Sequence, residues 1–246
     1  MKMRMGVLWA GVLVLGLAAP AQAALQGRLP VTAGGTDYQA YYDTVLDLTW
    51  TADANLAATN TFGLAYNTNL GDYPGDTYGP TYTEQILTNG RMPWGAALWW
   101  IDAMNAAGGT GYLGVNDWRL PTALNPDGSG PDLGYNVTGS EIGYMYYTNL
   151  GNIAYPNPGW GLANTGPFAN LQSNYYWSGT KYGPVPDGAW VFNFDFGAQD
   201  AYDKRLGFYA WAVRPGDVAV PEPASMALVG TALGGLLGVG WRRRRR

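Results

Sequence analysis

Cysteine and histidine are both absent from the 246 residues. A Ser-His-Asp triad, a Cys-His dyad, the usual zinc sites, haem and iron–sulfur ligation therefore all lack their residues. Disulfides cannot form either, so the fold rests on its core alone. Basic residues are scarce. Between Ala24 and Val220 only Arg28, Arg91, Arg119, Lys181, Lys204, Arg205 and Arg214 stand against 17 acidic residues, a net charge of −10 that the whole-chain value of −4 hides. Such a stretch has no basic stripe to neutralise phosphates, which excludes nucleic acid as a partner. Cations and uncharged sugars suit it better.

Much of what is present sits at the two ends. Lys2 and Arg4 precede an uncharged apolar run from Gly6 to Ala19, and Pro20 breaks it. Ala21-Gln22-Ala23 then places small residues at alternate positions, so residues 1–23 read as a secretory signal that signal peptidase cuts before Ala24. At the other end, Val220-Pro221-Glu222-Pro223 leads into an uncharged stretch over 224–241, closed by five arginines at 242–246. Two prolines around a glutamate favour an exposed extended segment. Eighteen residues are just enough to cross a bilayer as a helix, and the arginines would then stay cytoplasmic. Residues 220–246 resemble the PEP-CTERM sorting signal, with motif, transmembrane stretch and arginine cluster in order. The resemblance implies recognition by an exosortase of a Gram-negative bacterium. It further implies transient anchoring in the inner membrane, removal near the motif, and delivery to the cell surface or extracellular matrix.

Between the ends the chain reads as one β-rich domain with long ordered loops. Its nine Trp (Trp9 and Trp241 belong to the two ends) and 18 Tyr do the packing that aliphatic residues do elsewhere. Tyr41 to Trp50 alternates loosely, as a hairpin or strand pair would. Asn67 to Thr83 has no sustained period and reads as a surface excursion. From Met92 to Ala107 the apolar positions Ala96, Ala97, Trp100, Ile101 and Met104 recur at helical spacing, with Gly108 and Gly109 as the stop. Ser140-Glu141 suggests a capped start to a second short helix, with a strand as the alternative because three tyrosines follow. Asn125 to Gly139 is turn chemistry throughout. Three aromatic or β-branched runs, 175–178, 189–194 and 208–214, read as strands.

The densest local signal is Trp118-Arg119-Leu120-Pro121-Thr122. Period-two geometry puts Trp118 and Leu120 on one face and Arg119 on the other, and Pro121 ends the segment. A lone arginine in an acidic domain is most simply a fork for carboxylates or loop carbonyls, with substrate binding as the alternative. This motif, with Asp43, Leu48 and Trp50 before it and Tyr176-Trp177-Ser178, Trp190 to Phe194 and Ala212-Val213-Arg214 after it, resembles the Lcl C-terminal-like domain family (domain of unknown function 1566). The resemblance assigns the domain to residues 24–219, with its core over about 41–215 and an insertion at about 60–90. It implies an α+β fold similar to C-type lectins and formylglycine-generating enzymes, with twisted antiparallel strands, one or two helices and long loops. It implies no established activity. The catalytic cysteines of those enzymes and the disulfides and Glu-Pro-Asn or Gln-Pro-Asp sugar motifs of lectins have no counterpart.

The reading that follows is an exported, non-catalytic binding or structural protein that recognises exopolysaccharide or a matrix protein and takes no cofactor. Its ligand face would lie in loops 125–136 and 181–187, with Trp160, Trp177 and Tyr182 as aromatic platforms, although such rings are more often core. A carbohydrate-cleaving enzyme is the alternative, since paired carboxylates need neither His nor Cys, and Glu141, Asp195, Asp200 and Asp203 are its candidates. Asp127 and Asp132 are weak calcium candidates in a turn whose spacing fits no EF-hand.

Overall fold

The computed structural model describes residues 25–76 and 83–218. The signal with Ala21, Ala23 and Ala24, the tail with Val220, Pro221, Glu222 and Pro223, and residues 77–82 lie outside the described residues. Among the described residues eight strands form two four-stranded antiparallel sheets: β1 Leu25–Pro30, β2 Tyr38–Asp43, β3 Leu48–Thr51, β4 Gly134–Tyr135, β5 Tyr175–Lys181, β6 Gly188–Asn193, β7 Ala198–Asp203 and β8 Val213–Pro215. The orders are β1-β2-β3-β8 and β4-β7-β6-β5. The helices are few: α1 Trp94–Ala106, α2 Glu141–Tyr144 continued by a π-turn over Met145–Asn149, and isolated 3-10 turns. The molecule is thus mixed α and β with mainly antiparallel pairing.

The expected strand pair within 41–50 is β2 and β3, in register from Ala40–Thr51 to Asp43–Leu48. Asp43 makes the turn between them by accepting the amides of Val45 and Leu46. Strands β5 and β6 are buried on both faces. Tyr176 and Phe192 face one half of the core with Trp50, Phe194 and Trp211, whereas Trp177 and Val191 face the other with Trp100, Met104 and Trp118. Aromatic residues can follow one another in these strands because neither face meets water.

Helix α1 begins and ends near the expected positions, with Trp94, Ala97, Trp100, Ile101 and Met104 inward and Asp102 exposed. Gly108 and Gly109 take positive φ just beyond it. Ser140 caps α2 by accepting the Gly143 amide.

Two expectations need correction. The run 208–214 is a strand only from Val213 onward. Before that, Phe208 bridges to Met92 and Tyr209 to Tyr176, while the Ala212 carbonyl accepts from Thr51. An extended segment threading between α1 and both sheets has a different partner at each residue and cannot build a ladder. The excursion from Asn67 is irregular as expected, but not wholly superficial. It folds back through Asn67 N to Ile86 O and Leu70 N to Glu84 O, and it leaves Glu84 and Ile86 buried.

Candidate functional site

Around Trp118 to Thr122 the backbone is clamped before any side chain acts. Arg119 pairs with Val213 in both directions, Gly179 N donates to Pro121 O, and Asn105 bonds both the N–H and the C=O of Trp118. Trp118 and Leu120 are buried, which leaves Arg119 facing the other way. Its guanidinium grips Glu141 with two bonds of 2.7 and 2.6 Å, and Glu141 Oε2 also accepts the Thr122 amide at 2.8 Å. The expected fork is therefore present. Two open clefts of about 320 Å³ each flank it, one lined by Leu46, Leu124, Asn125 and Glu141, the other by Tyr73, Asp102, Arg119 and Thr180. Arg214 makes a second fork on Asp117 (2.6 and 2.9 Å), and that bond holds the Asp117 carboxyl below the usual carboxylate range.

The carboxylates considered for hydrolysis are engaged separately. Glu141 serves Arg119, Asp203 accepts from Arg205, Asp195 accepts from Ser173 Oγ at 3.1 Å, and Asp200 accepts the Ala201 amide. Asp127 and Asp132 are spent within their loop. Asp127 Oδ1 accepts the amide and the hydroxyl of Ser129, which hold its carboxyl below the usual range, and Asp132 accepts from Asn125. Among the described residues no group of three or more acidic side chains could hold a metal ion.

The three expected aromatic platforms separate on inspection. Trp177 is a core residue, fully buried with its indole N–H on Met92 O at 2.9 Å, and cannot meet a ligand. Its place on a strand covered on both faces is the reason. Tyr182 is half-buried with its ring edge-on to Trp190, at the Gly188 end of β6. Trp160 lies by Phe196, beyond the Asn193 end. Six residues of strand separate those ends by roughly 17 Å, so Tyr182 and Trp160 cannot share one small ligand.

Trp160 instead belongs to an exposed cluster that the sequence reading missed. Its ring lies 5.5 Å from Phe196 and 13° from parallel, and Tyr155 stands edge-on to both, at 86° and 87°. Tyr135 lies 6.2 Å beyond Tyr155. All four residues are exposed, at between 36% and 47%. A usable signal was there: Tyr155 and Trp160 bracket Pro156-Asn157-Pro158-Gly159, a turn with no apolar partner of its own.

A buried charged cluster was also missed. Lys204 Nζ donates to Asp76 and to Pro186 O, and it sits 4.7 Å from the centre of a Trp94 ring. Glu84 accepts the Ala96 amide at the first turn of α1, a turn whose flanking Pro93 offers no side-chain cap. Burial pushes the Glu84 carboxyl up to about 7 despite that bond, and the charges of Asp76 and Asp72 add to the rise.

No helix among the described residues is long and apolar enough to cross a membrane. No curated protein and no solved structure matches the chain. Residues 219–245 match the family model of the PEP-CTERM protein-sorting motif. The chain thus carries, immediately after Val218, the tail by which exosortase substrates are directed to the cell envelope through a transient membrane anchor.

Proposed function

We propose that this is an exported cell-envelope or extracellular-matrix protein of a Gram-negative bacterium. In this reading signal peptidase frees it at Ala24, exosortase removes its tail, and a non-catalytic binding or structural domain remains at the surface. The observation that carries the proposal is the sorting motif at 219–245. The domain itself is read as an Lcl C-terminal-like, C-type-lectin-like module. Two mainly antiparallel sheets, few helices and the clamped Trp118-Arg119-Leu120 segment support that reading. The separate engagement of Glu141, Asp195, Asp200 and Asp203 favours binding over carbohydrate cleavage. The ligand is taken to be exopolysaccharide or a matrix protein.

The decisive experiment replaces Pro221, Glu222 and Pro223 by alanine in the producing cell and follows mass and protease accessibility on intact cells. The native chain should shorten and reach the surface, while the variant should keep its tail and remain with the inner membrane. Equal mass and equal accessibility for the two would overturn the proposal.

A further inference from the structure

The four uncovered rings at Tyr135, Tyr155, Trp160 and Phe196 are held by three separate pieces of chain. Tyr135 sits on β4, which pairs with Ala198 of β7. Phe196 sits in the turn between β6 and β7, closed by Gly197 N on Asn193 O. Tyr155 and Trp160 sit in a loop closed by Gly161 N on Ile153 O at 3.1 Å and by Trp160 N on Asn157 O at 3.0 Å. The loop and the turn are tied to each other by Tyr155 N on Phe196 O at 3.0 Å. The backbone that carries the rings is therefore held by hydrogen bonds of its own, and exposing the rings costs hydrophobic free energy that a floppy loop would avoid by collapsing.

Chemistry narrows the occupant. The segments 133–136, 153–161 and 193–198 contain no lysine or arginine, and the charge among them is Asp195. A phosphate or uronate would find no cation there and would meet a domain of net charge −10. The surface is mainly aromatic, with ring planes meeting at right angles, and Leu133 and Ile153 are the exposed aliphatic residues of the same segments. Hydrogen-bonding groups border it in Asp195, Asn157 and the tyrosine hydroxyls. An aromatic face beside acceptors and donors suits a neutral pyranose, whose axial C–H groups lie flat on a ring while its hydroxyls bond at the rim. Flat faces on both sides belong to β-linked sugars with equatorial hydroxyls.

We infer that the corner made by Trp160, Phe196 and Tyr155, extended by Tyr135, binds a neutral β-linked pyranose chain. This inference rests on the envelope reading above and gives it a ligand class and a site.

The test is titration of the full chain, in a zwitterionic detergent without sugar groups, with cellohexaose, followed by calorimetry. An α-linked maltohexaose and an anionic oligogalacturonate serve as controls. Cellohexaose should bind saturably and more tightly than either control, and Trp160→Ala and Tyr155→Ala should each weaken it at least tenfold with little change in melting temperature. Absence of cellohexaose binding, tighter binding of oligogalacturonate, or binding indifferent to both substitutions would overturn the inference. So would a dimer that Trp160→Ala dissociates, since the corner would then be an interface between copies. Normal tail processing of the Trp160→Ala chain separates failure here from failure of the envelope reading.

Discussion

Glu84 keeps one carboxylate oxygen on the Ala96 amide, whereas the other is buried without a hydrogen-bond partner among the described residues. Such a group binds its proton more tightly folded than unfolded: about 7 against an ordinary 4.5. Its contribution to stability is complete below the ordinary value and is lost as pH rises toward 7. Glu84→Gln keeps the acceptor and removes the charge, so the variant should lose that slope and gain at most about 3 kcal/mol at pH 8, read from urea unfolding across pH. Arg119 is a different case, because its partner Glu141 depends on it for two of three bonds. Arg119→Met should cost about 1–3 kcal/mol, and adding Glu141→Gln should recover part of it in a double-mutant cycle. The Arg119 fork could be anticipated from sequence, since one arginine beside a buried tryptophan in an acidic chain has few alternatives. The Glu84 cap could not be, because its partner lies on a helix 12 residues downstream and only the closure of an irregular segment brings them together.

Among the secondary-structure elements, those legible in the sequence bury a continuous apolar pattern of their own. Helix α1 shows its spacing, and β5 and β6 show aromatic runs. Strands β1 and β7 were missed for the opposite reason. Leu25–Pro30 is an edge strand without a fully buried residue, and Ala198–Asp203 buries only Gln199 fully, so neither carries a hydrophobic alternation. Their pairing is decided by neighbours. Position 95 in α1 offers a test of tertiary over local preference. Glycine to alanine inside a helix ordinarily stabilises by about 1 kcal/mol. Here the added methyl would lie 2.2 Å from Glu84 Oε1 and 2.6 Å from its Cδ, and moving that carboxyl breaks the bond to Ala96. Gly95→Ala should therefore lower the melting temperature, and combining it with Glu84→Ala should relieve the clash.

Across the whole domain, the first and last strands lie in the same sheet. Arg28 of β1 holds Asp217 with two bonds, 2.6 and 2.7 Å, while its guanidinium lies 5.2 Å from the centre of the Tyr42 ring. Val218, next to the sorting motif, is buried. Asp217→Asn should leave global stability within about 1 kcal/mol, because the pair is partly exposed. Hydrogen exchange of the amides in β1 and at 216–218 should nevertheless quicken, as the two ends lose their clasp.

The register of that sheet also gives the domain an up and a down. Leu25, Asp43, Leu48 and Pro215 stand in one row, so the chain enters and departs by the same margin, and the hairpin tip at 31–37 occupies the far one. Five residues lie between Val218 and Ala224, where the apolar stretch starts, a reach of about 20 Å at full extension. While its tail is still in the bilayer, Val218 and the margin beside it are therefore held within about 20 Å of the membrane, with the hairpin tip on the opposite margin. An epitope inserted between Gly34 and Gly35 should be readable by antibody on spheroplasts at that stage, and one beside Asp217 should become readable only after the tail has gone.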